Sequence, residues 1–300
     1  MRIGLLLLKV TCFLRGTGQA ATAALVRFRL FTLFLQALVK ILSTFPLFVL
    51  VGVALLSGCA VYVPATPSTP LLRSQGEVEV TASVRPQGGL ETSAAWVPAR
   101  YLLLTAEGSV QQGDGSETHN GVTTEYQNLH KQIGMGVGTY RLLGTDQSVY
   151  LGALGGFGLA AASIYDSHYD PFDFLFGGTK QLAHYQAAYQ RYYGQLYVAK
   201  TTPLLSYGAS LRTTFVHYST LTRNETLITT PTKFYIEPTV FMRIGRGAWQ
   251  GQATLGFSQP NTMDRSSPDR RNVSPATTIT SFGVVLRPHL LKQRKAPAPE

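Results

Sequence analysis

Few residues in this sequence are placed to do chemistry, and the first is Cys59. It follows Leu56-Ser57-Gly58, where an apolar run from Phe45 to Leu56 ends. A thiol is a nucleophile, and small residues at the end of an apolar run can mark a cleavage site. The second candidate is the pair His217 and Ser219. An imidazole and a hydroxyl are the residue types of a base and a nucleophile. A third set is charged: Glu77, Glu79, Glu91, Glu107, Glu237, Arg212 and Arg243 sit within segments that otherwise alternate apolar and small polar residues. Placed on one face, they form either an internal ion-pair network or a ring that selects ions. Metal chemistry has little support. Asp166, Asp170 and Asp173 lack the spaced oxygen ligands and glycine of a calcium loop. His119, His130, His168, His184 and His289 are scattered without ligand spacing. One cysteine remains after residue 58, which excludes cysteine metal sites and intramolecular disulfides in the processed chain. No cofactor and no metal is expected.

Stepping along the chain, residues 1–58 carry Arg2, Lys9, Arg15, Arg27, Arg29 and Lys40 and no acidic residue. A positive region, an apolar core and a small-residue cleavage site make a secretory signal. The four residues Leu56 to Cys59 resemble the bacterial lipobox at every position. That resemblance implies diacylation of the Cys59 thiol, cleavage before it and acylation of the new N-terminus, hence a palmitate-bearing lipoprotein. The rival reading is an uncleaved helix from Ile41 to Gly58, at the short end of a membrane span. The leader holds +6 of the net +10, leaving 10 − 6 = +4 for residues 59–300. Most of the basic excess is therefore targeting signal, and a nucleic-acid binder is a poor reading.

Residues 59–75, with Pro64, Pro67, Ser68, Thr69 and Pro70, read as a Pro/Thr-rich tether carrying the lipidated Cys59. Residues 289–300 read as a polar, disordered tail. Between them, over 76–288, the signal is period two. Trp249, Gly251, Ala253, Leu255 and Phe257 alternate with Gln250, Gln252, Thr254, Gly256 and Ser258, and similar runs start near Leu205 and Phe234. Such alternation marks strands with one apolar face. The strands are predicted at 76–84, 89–97, 101–111, 129–141, 148–161, 191–199, 204–218, 233–245, 249–258 and 277–287. Short connections alternate with long ones at 112–128, 162–190, 219–232 and 259–276. Short turns at one end and long loops at the other are the signature of an up-and-down antiparallel transmembrane β-barrel of about ten strands. An even count returns both ends of the barrel to the short-turn, periplasmic side.

Alternation alone does not say whether the apolar face points out to lipid or in, as in a soluble lipocalin-like barrel. Three features favour lipid. The polar faces are mostly Gly, Ser, Thr and Gln, where a soluble exterior is about a quarter to a third charged. Trp96, Tyr101, Tyr193, Tyr207, Tyr218 and Trp249 cluster near strand ends, as interfacial girdles do. Most strands reach the roughly 9 to 11 residues that cross a bilayer at a tilt. With this pattern over 76–287 and its lipobox, the chain resembles the small outer-membrane β-barrel lipoproteins of Gram-negative, Bacteroidota-type bacteria. In that group acidic residues after the lipidated cysteine direct export to the surface. Ala60-Val61-Tyr62 follow here, which implies a lipid held in the periplasmic leaflet of the outer membrane.

An apolar exterior sends Glu77, Glu79, Glu91, Glu107, Glu237, Arg212 and Arg243 inward, because Arg on the lipid face costs about 2–4 kcal/mol near the midplane. A barrel this size is little wider than the eight-stranded kind whose side chains fill it, so a wide pore is not expected. Gly134, Gly136 and Gly138, with Gly152, Gly156 and Gly158 on the next strand, are expected to give room for bulky side chains from the facing wall, or to allow local bending. The segment 162–190, rich in Tyr, Phe and Asp, is predicted to be an external loop with a helical turn over Gln181 to Tyr189, fit to bind a glycan or a protein partner. His217-Tyr218-Ser219 resembles the His-x-Ser element of outer-membrane lipid A deacylases, although the orienting glutamate of that family has no clear counterpart: Glu237 has inward parity and Glu225 lies in a loop. The expected function is a lipid-anchored outer-membrane barrel with a structural, interaction or narrow-permeation role. The rivals are a barrel enzyme hydrolysing lipid esters through His217 and Ser219, and a soluble periplasmic binding barrel.

Overall fold

A computed structural model describes residues 61–86, 88–119, 122–168, 181–229, 232–261 and 276–293. The lipobox Leu56, Ser57, Gly58 and Cys59 lies outside the described residues, as do Asp170 and Asp173. The strands are β1 (Val78–Arg85), β2 (Gly89–Trp96), β3 (Leu102–His119), β4 (Val122–Leu143), β5 (Val149–His168) and β6 (Gln181–Thr201). They continue with β7 (Leu205–Arg223), β8 (Thr226–Leu227), β9 (Lys233–Ile244), β10 (Trp249–Pro260) and β11 (Thr277–Leu286). A short helix, α1 (Pro288–Gln293), follows. Consecutive strands pair antiparallel, β1 pairs with β11, and β7 pairs with both β6 and β9. The ring closes and leaves no open edge. β8 only folds back on the end of β7, so the wall has the ten strands that the alternation predicts. The tight β1–β2 turn depends on Gly88, whose φ of 84° is costly for any residue with a Cβ and whose N–H donates to the Arg85 carbonyl at 3.1 Å.

The apolar faces point outward. Leu211, Val240 and Leu255 are 47%, 56% and 40% exposed, and Ile133, Met135, Val137, Leu196 and Ile244 stand with them on the outside. On β9 the outward residues from Phe234 to Ile244 are Phe, Ile, Pro, Val, Met and Ile. At about 3.3 Å per residue and a tilt of about 40°, that run is about 25 Å tall, the height of a lipid-facing band. A closed sheet wearing such a belt is a membrane-spanning barrel. Trp96, Tyr101, Tyr207 and Trp249 form an exposed aromatic rim at the short-turn end. Tyr193 and Tyr218, expected in that girdle, are buried inside instead.

Three expectations about the connections need correction. Most of 112–128 is strand: β3 and β4 pair continuously from Leu102↔Thr139 to His119↔Val122. Much of 162–190 is strand as well, with Tyr165 opposite His184 and Ala161 opposite Ala188. Gln181 to Tyr189 is therefore the start of β6, and no helical turn forms there. Strands β3 to β7 rise above the belt as a collar over half the barrel, while β1, β2, β9, β10 and β11 end near its upper edge. The tail is also not featureless at its start, since α1 places the His289 ring beside Val78, with Nδ1 3.1 Å from its carbonyl oxygen.

Candidate functional site

The segment expected to be a free tether fills the barrel. Val61, Tyr62, Pro64, Ala65, Pro67, Thr69, Pro70, Leu71 and Leu72 are all buried. Prolines at every third position, Pro64, Pro67 and Pro70, lack N–H groups and favour an extended chain with no internal hydrogen bonds. Such a chain spans about 34 Å from Val61 to Leu72 at roughly 3.1 Å per residue, enough to traverse the belt. Its carbonyls must find partners in the wall, and the inner face provides them. The Arg85 guanidinium donates to the Pro64 carbonyl, Gln195 Nε2 to Ser68 at 2.7 Å, Arg243 Nη2 to Thr69 at 2.8 Å, Tyr197 Oη to Pro70 at 2.9 Å and Tyr140 Oη to Arg73 at 2.8 Å. In return the Thr66 N–H donates to Glu91 Oε1 at 3.1 Å and Tyr62 Oη to Glu237 Oε1 at 2.7 Å. Donors and acceptors on β1, β2, β4, β6 and β9 thus hold one plug.

The wall charges are organised around carboxylates. Glu107 receives Arg191 Nη2 at 2.6 Å and Arg212 Nη2 at 3.2 Å, with Arg212 Nε bonded to Gln195 at 3.0 Å. Glu79 receives Arg243 at 2.9 Å and Arg287 at 3.1 Å. Glu91 pairs with Arg85 at 2.6 Å. Glu237 has no cationic partner among the described residues and accepts from Tyr62, Thr214 and Ser258 hydroxyls at 2.7, 2.9 and 3.0 Å. Glu77 departs from the expected inward set: it sits just before β1, half-buried, accepting the Arg73 N–H at 2.6 Å with His289 at 4.0 Å. Glycine makes the longest reach possible. Gly134 and Gly158 are paired between Glu107 on β3 and Arg191 on β6, so the Arg191 side chain lies across two strands that present no side chain. Tyr193 lies likewise over Gly156, beneath the Arg212 guanidinium at 4.3 Å. The bulk comes from the neighbouring strand, not from the opposite wall.

Aromatic clusters close both ends. At the collar end Tyr62 packs on Tyr235 with ring centres 4.3 Å apart and edge-on to Tyr189 at 5.9 Å, and His130 Nε2 lies 2.7 Å from Tyr189 Oη. At the short-turn end Tyr140, Tyr150 and Tyr197 stack at 5.3 and 5.7 Å beside Leu71, Leu72 and Leu103. Between plug and wall a polar cavity of about 30 Å³ remains, bordered by Thr66, Ser68, Glu91, Gln132 and Gln252. It has room for a water or two and none for a solute.

His217 and Ser219 each have another hydrogen-bond partner. Both face outward, and Ser219 Oγ donates to the Ala188 carbonyl at 2.9 Å and His217 Nδ1 lies 3.2 Å from Thr232 Oγ1. A bulge where β6 meets β7 shifts the register between Tyr218 and Thr220, at Ser219. Sequence reasoning missed Tyr62, Arg85, Arg191 and Arg287. The first lay in the tether and the second in an expected turn. Arg191 shares parity with Tyr193, Gln195 and Tyr197, a signal that was there to be followed. Among the described residues no group of three or more His, Cys, Asp or Glu could hold a metal ion.

The fold and its filled lumen define a class: a membrane-spanning, ten-stranded antiparallel barrel plugged by its own N-terminal segment. No protein-family model matches the chain, and no curated protein sequence does. Similar solved structures include the translocator domain of the autotransporter NalP from Neisseria meningitidis, at 10% identity and a TM-score of 0.42 over 72% of this chain and 90% of that one. The toluene transporter TodX of P. putida is 11% identical, with a TM-score of 0.33 over 75% of this chain and 67% of that one. CarO2 of Acinetobacter baumannii is 12% identical, with a TM-score of 0.28 over 71% of this chain and 99% of that one. These likenesses are distant, and the membrane assignment rests on the belt.

Proposed function

We propose that this chain is an outer-membrane barrel lipoprotein whose own N-terminal segment keeps the lumen shut, and that it serves a structural or interaction role. The collar of β3 to β7 is the surface offered to a protein or glycan partner. The observation that carries this reading is the plug: nine residues between Val61 and Leu72 are buried, and hydrogen bonds tie the segment to four strands, β1, β2, β6 and β9. Free permeation would require that network to come apart. The short-turn and long-hairpin ends, the exterior belt and the secretory leader support the outer membrane as the site. The test is electrical. Purified protein in planar bilayers is expected to stay silent, without stepwise conductance at moderate voltage. Steady ion-selective openings in the unmodified protein would overturn the plugged reading and restore the narrow pore.

A further inference from the structure

The plug has a direction, and the direction says where the preceding chain must go. Three strands report it independently. On β9, Tyr62 meets Tyr235 and Glu237 while Thr69 meets Arg243, nearer the short-turn end. On β6, Tyr62 meets Tyr189, Ser68 meets Gln195 and Pro70 meets Tyr197. On β1, Pro64 meets Arg85 and Leu71 lies 3.5 Å from Glu79. Along each strand, later plug residues sit lower. Val61 is therefore at the collar mouth, and the chain descends to the short-turn end before β1 turns back up.

We propose that the chain before Val61 leaves through the collar mouth over the low part of the rim, so that the acyl group expected on Cys59 enters the outer leaflet at the cell surface. This rests on the outer-membrane reading above and replaces the periplasmic-leaflet expectation. Reach decides between the leaflets. Cys59 is two residues from Val61, at most about 7 Å of extended chain, whereas the inner leaflet lies beyond a belt about 25 Å tall. The rim also has the right height. Tyr62 stacks on Tyr235, which pairs with Pro260 at the last step of the low wall. Just below that wall's edge the outside carries Val84, Leu90 and Phe257, 57%, 55% and 50% exposed, so the belt ends there. A thioether-linked glycerol leaving at this level stands at the lipid headgroups. On the other side β3 runs on from Gln111, opposite Gly89, to His119 and bars the way. Surface placement then needs no acidic export signal after the cysteine, because the barrel closes around the segment that carries it.

The experiment expresses the full chain in a Gram-negative host, with a peptide epitope inserted either after Ala60 or in the short turn between Gly144 and Gln147. Antibody binding is compared on intact and permeabilised cells, and the heat-dependent gel shift of a closed barrel confirms folding. The Ala60 epitope is expected to be fully accessible on intact cells, and the turn epitope to gain about tenfold on permeabilisation. An Ala60 epitope revealed only by permeabilisation, in a heat-shifting protein, overturns the surface exit and leaves the barrel reading standing. A turn epitope visible on intact cells overturns the orientation and with it the proposed function. Since an insertion can disturb the plug, a second variant replaces Tyr62 with the photocrosslinker p-benzoylphenylalanine. Adducts on β6 or β9 near Tyr189 and Tyr235 support the threading direction, and adducts near Tyr140 or Tyr150 reverse it. Labelling with an alkyne palmitate is expected and should vanish in Cys59→Ser; absence of label in the unmodified protein overturns the lipid half.

Discussion

The upper and lower halves of strand β6 obey opposite rules with the same parity. From Ala183 to Tyr189 the inward residues are Ala183, Tyr185, Ala187 and Tyr189, while His184, Gln186 and Gln190 face out. From Arg191 down the inward residues are Arg191, Tyr193, Gln195 and Tyr197, while Tyr192, Leu196 and Val198 face out. The backbone pleat is continuous; only the medium outside changes. Above the belt water wets the exterior, and apolar residues gain by packing inward around Val61 and Tyr62. Within it lipid takes the apolar residues, and the polar ones retreat to the lumen, where each must find a partner. The exterior of the belt therefore asks only for greasiness, whereas its interior asks for named pairs.

The hardest break of that contrast is inside the belt. Glu107→Ala removes the anion shared by Arg191 and Arg212, which are 1% and 0% exposed, and leaves two guanidiniums buried without it. The expected loss is about 3–5 kcal/mol, read by urea titration of folding into lipid vesicles. A loss below about 1 kcal/mol would mean that water reaches both arginines, and that the lumen is wetter than its packing implies.

The next test swaps the same residue change between the two media. Leu196→Arg puts a cation on the lipid face of the belt at a site 61% exposed and is expected to cost about 2–4 kcal/mol. Gln186→Arg makes the same cation on the exposed outside of the collar, where the change should stay within about 0.5 kcal/mol. Equal effects at both sites would erase the boundary near Gln190.

The same boundary explains what could be read in advance. Strands such as β9 and β10 declared themselves because lipid on one side and lumen on the other impose strict alternation on Ile236, Val240 and Met242 against Glu237, Thr239 and Arg243. The collar did not. In 112–128 one face sees water and the other is only partly covered, so Gln112, Gly113, Asp114 and Ser116 carry no periodic signal and looked like loop. Asn120-Gly121, the pair favoured in two-residue hairpin turns, was the missed hint of a continuous β3–β4 hairpin. Tyr185 and Tyr189, four apart, imitate a helical face as well as they mark alternate positions of a strand. The inward charges followed from parity, but the plug did not. A Pro-rich segment satisfies its carbonyls only through partners far away in sequence, such as Gln195 and Arg243, so nothing local distinguishes it from a solvated tether.

The gentlest break tests how Arg191 crosses two strands. A Cβ at Gly158 would stand 2.7 Å from Arg191 Nε and 2.8 Å from the Ile133 carbonyl oxygen, so Gly158→Ala forces the wall or the arginine to move. Overpacking of that kind costs about 1–3 kcal/mol, offset by roughly 0.5–1 kcal/mol because glycine is the poorer strand residue. A net loss of about 1 kcal/mol is expected. What makes this informative is its dependence on the partner. With Glu107→Gln/Arg191→Met as background, the long side chain bends freely and its pairing no longer fixes its path, so much of the penalty should disappear. A cycle that shows coupling of at least about 0.5 kcal/mol ties the glycine to the arginine lying across it. Strict additivity would instead assign the cost to the Ile133 backbone, and Gly158 would be a bend in β5 that Arg191 merely passes over.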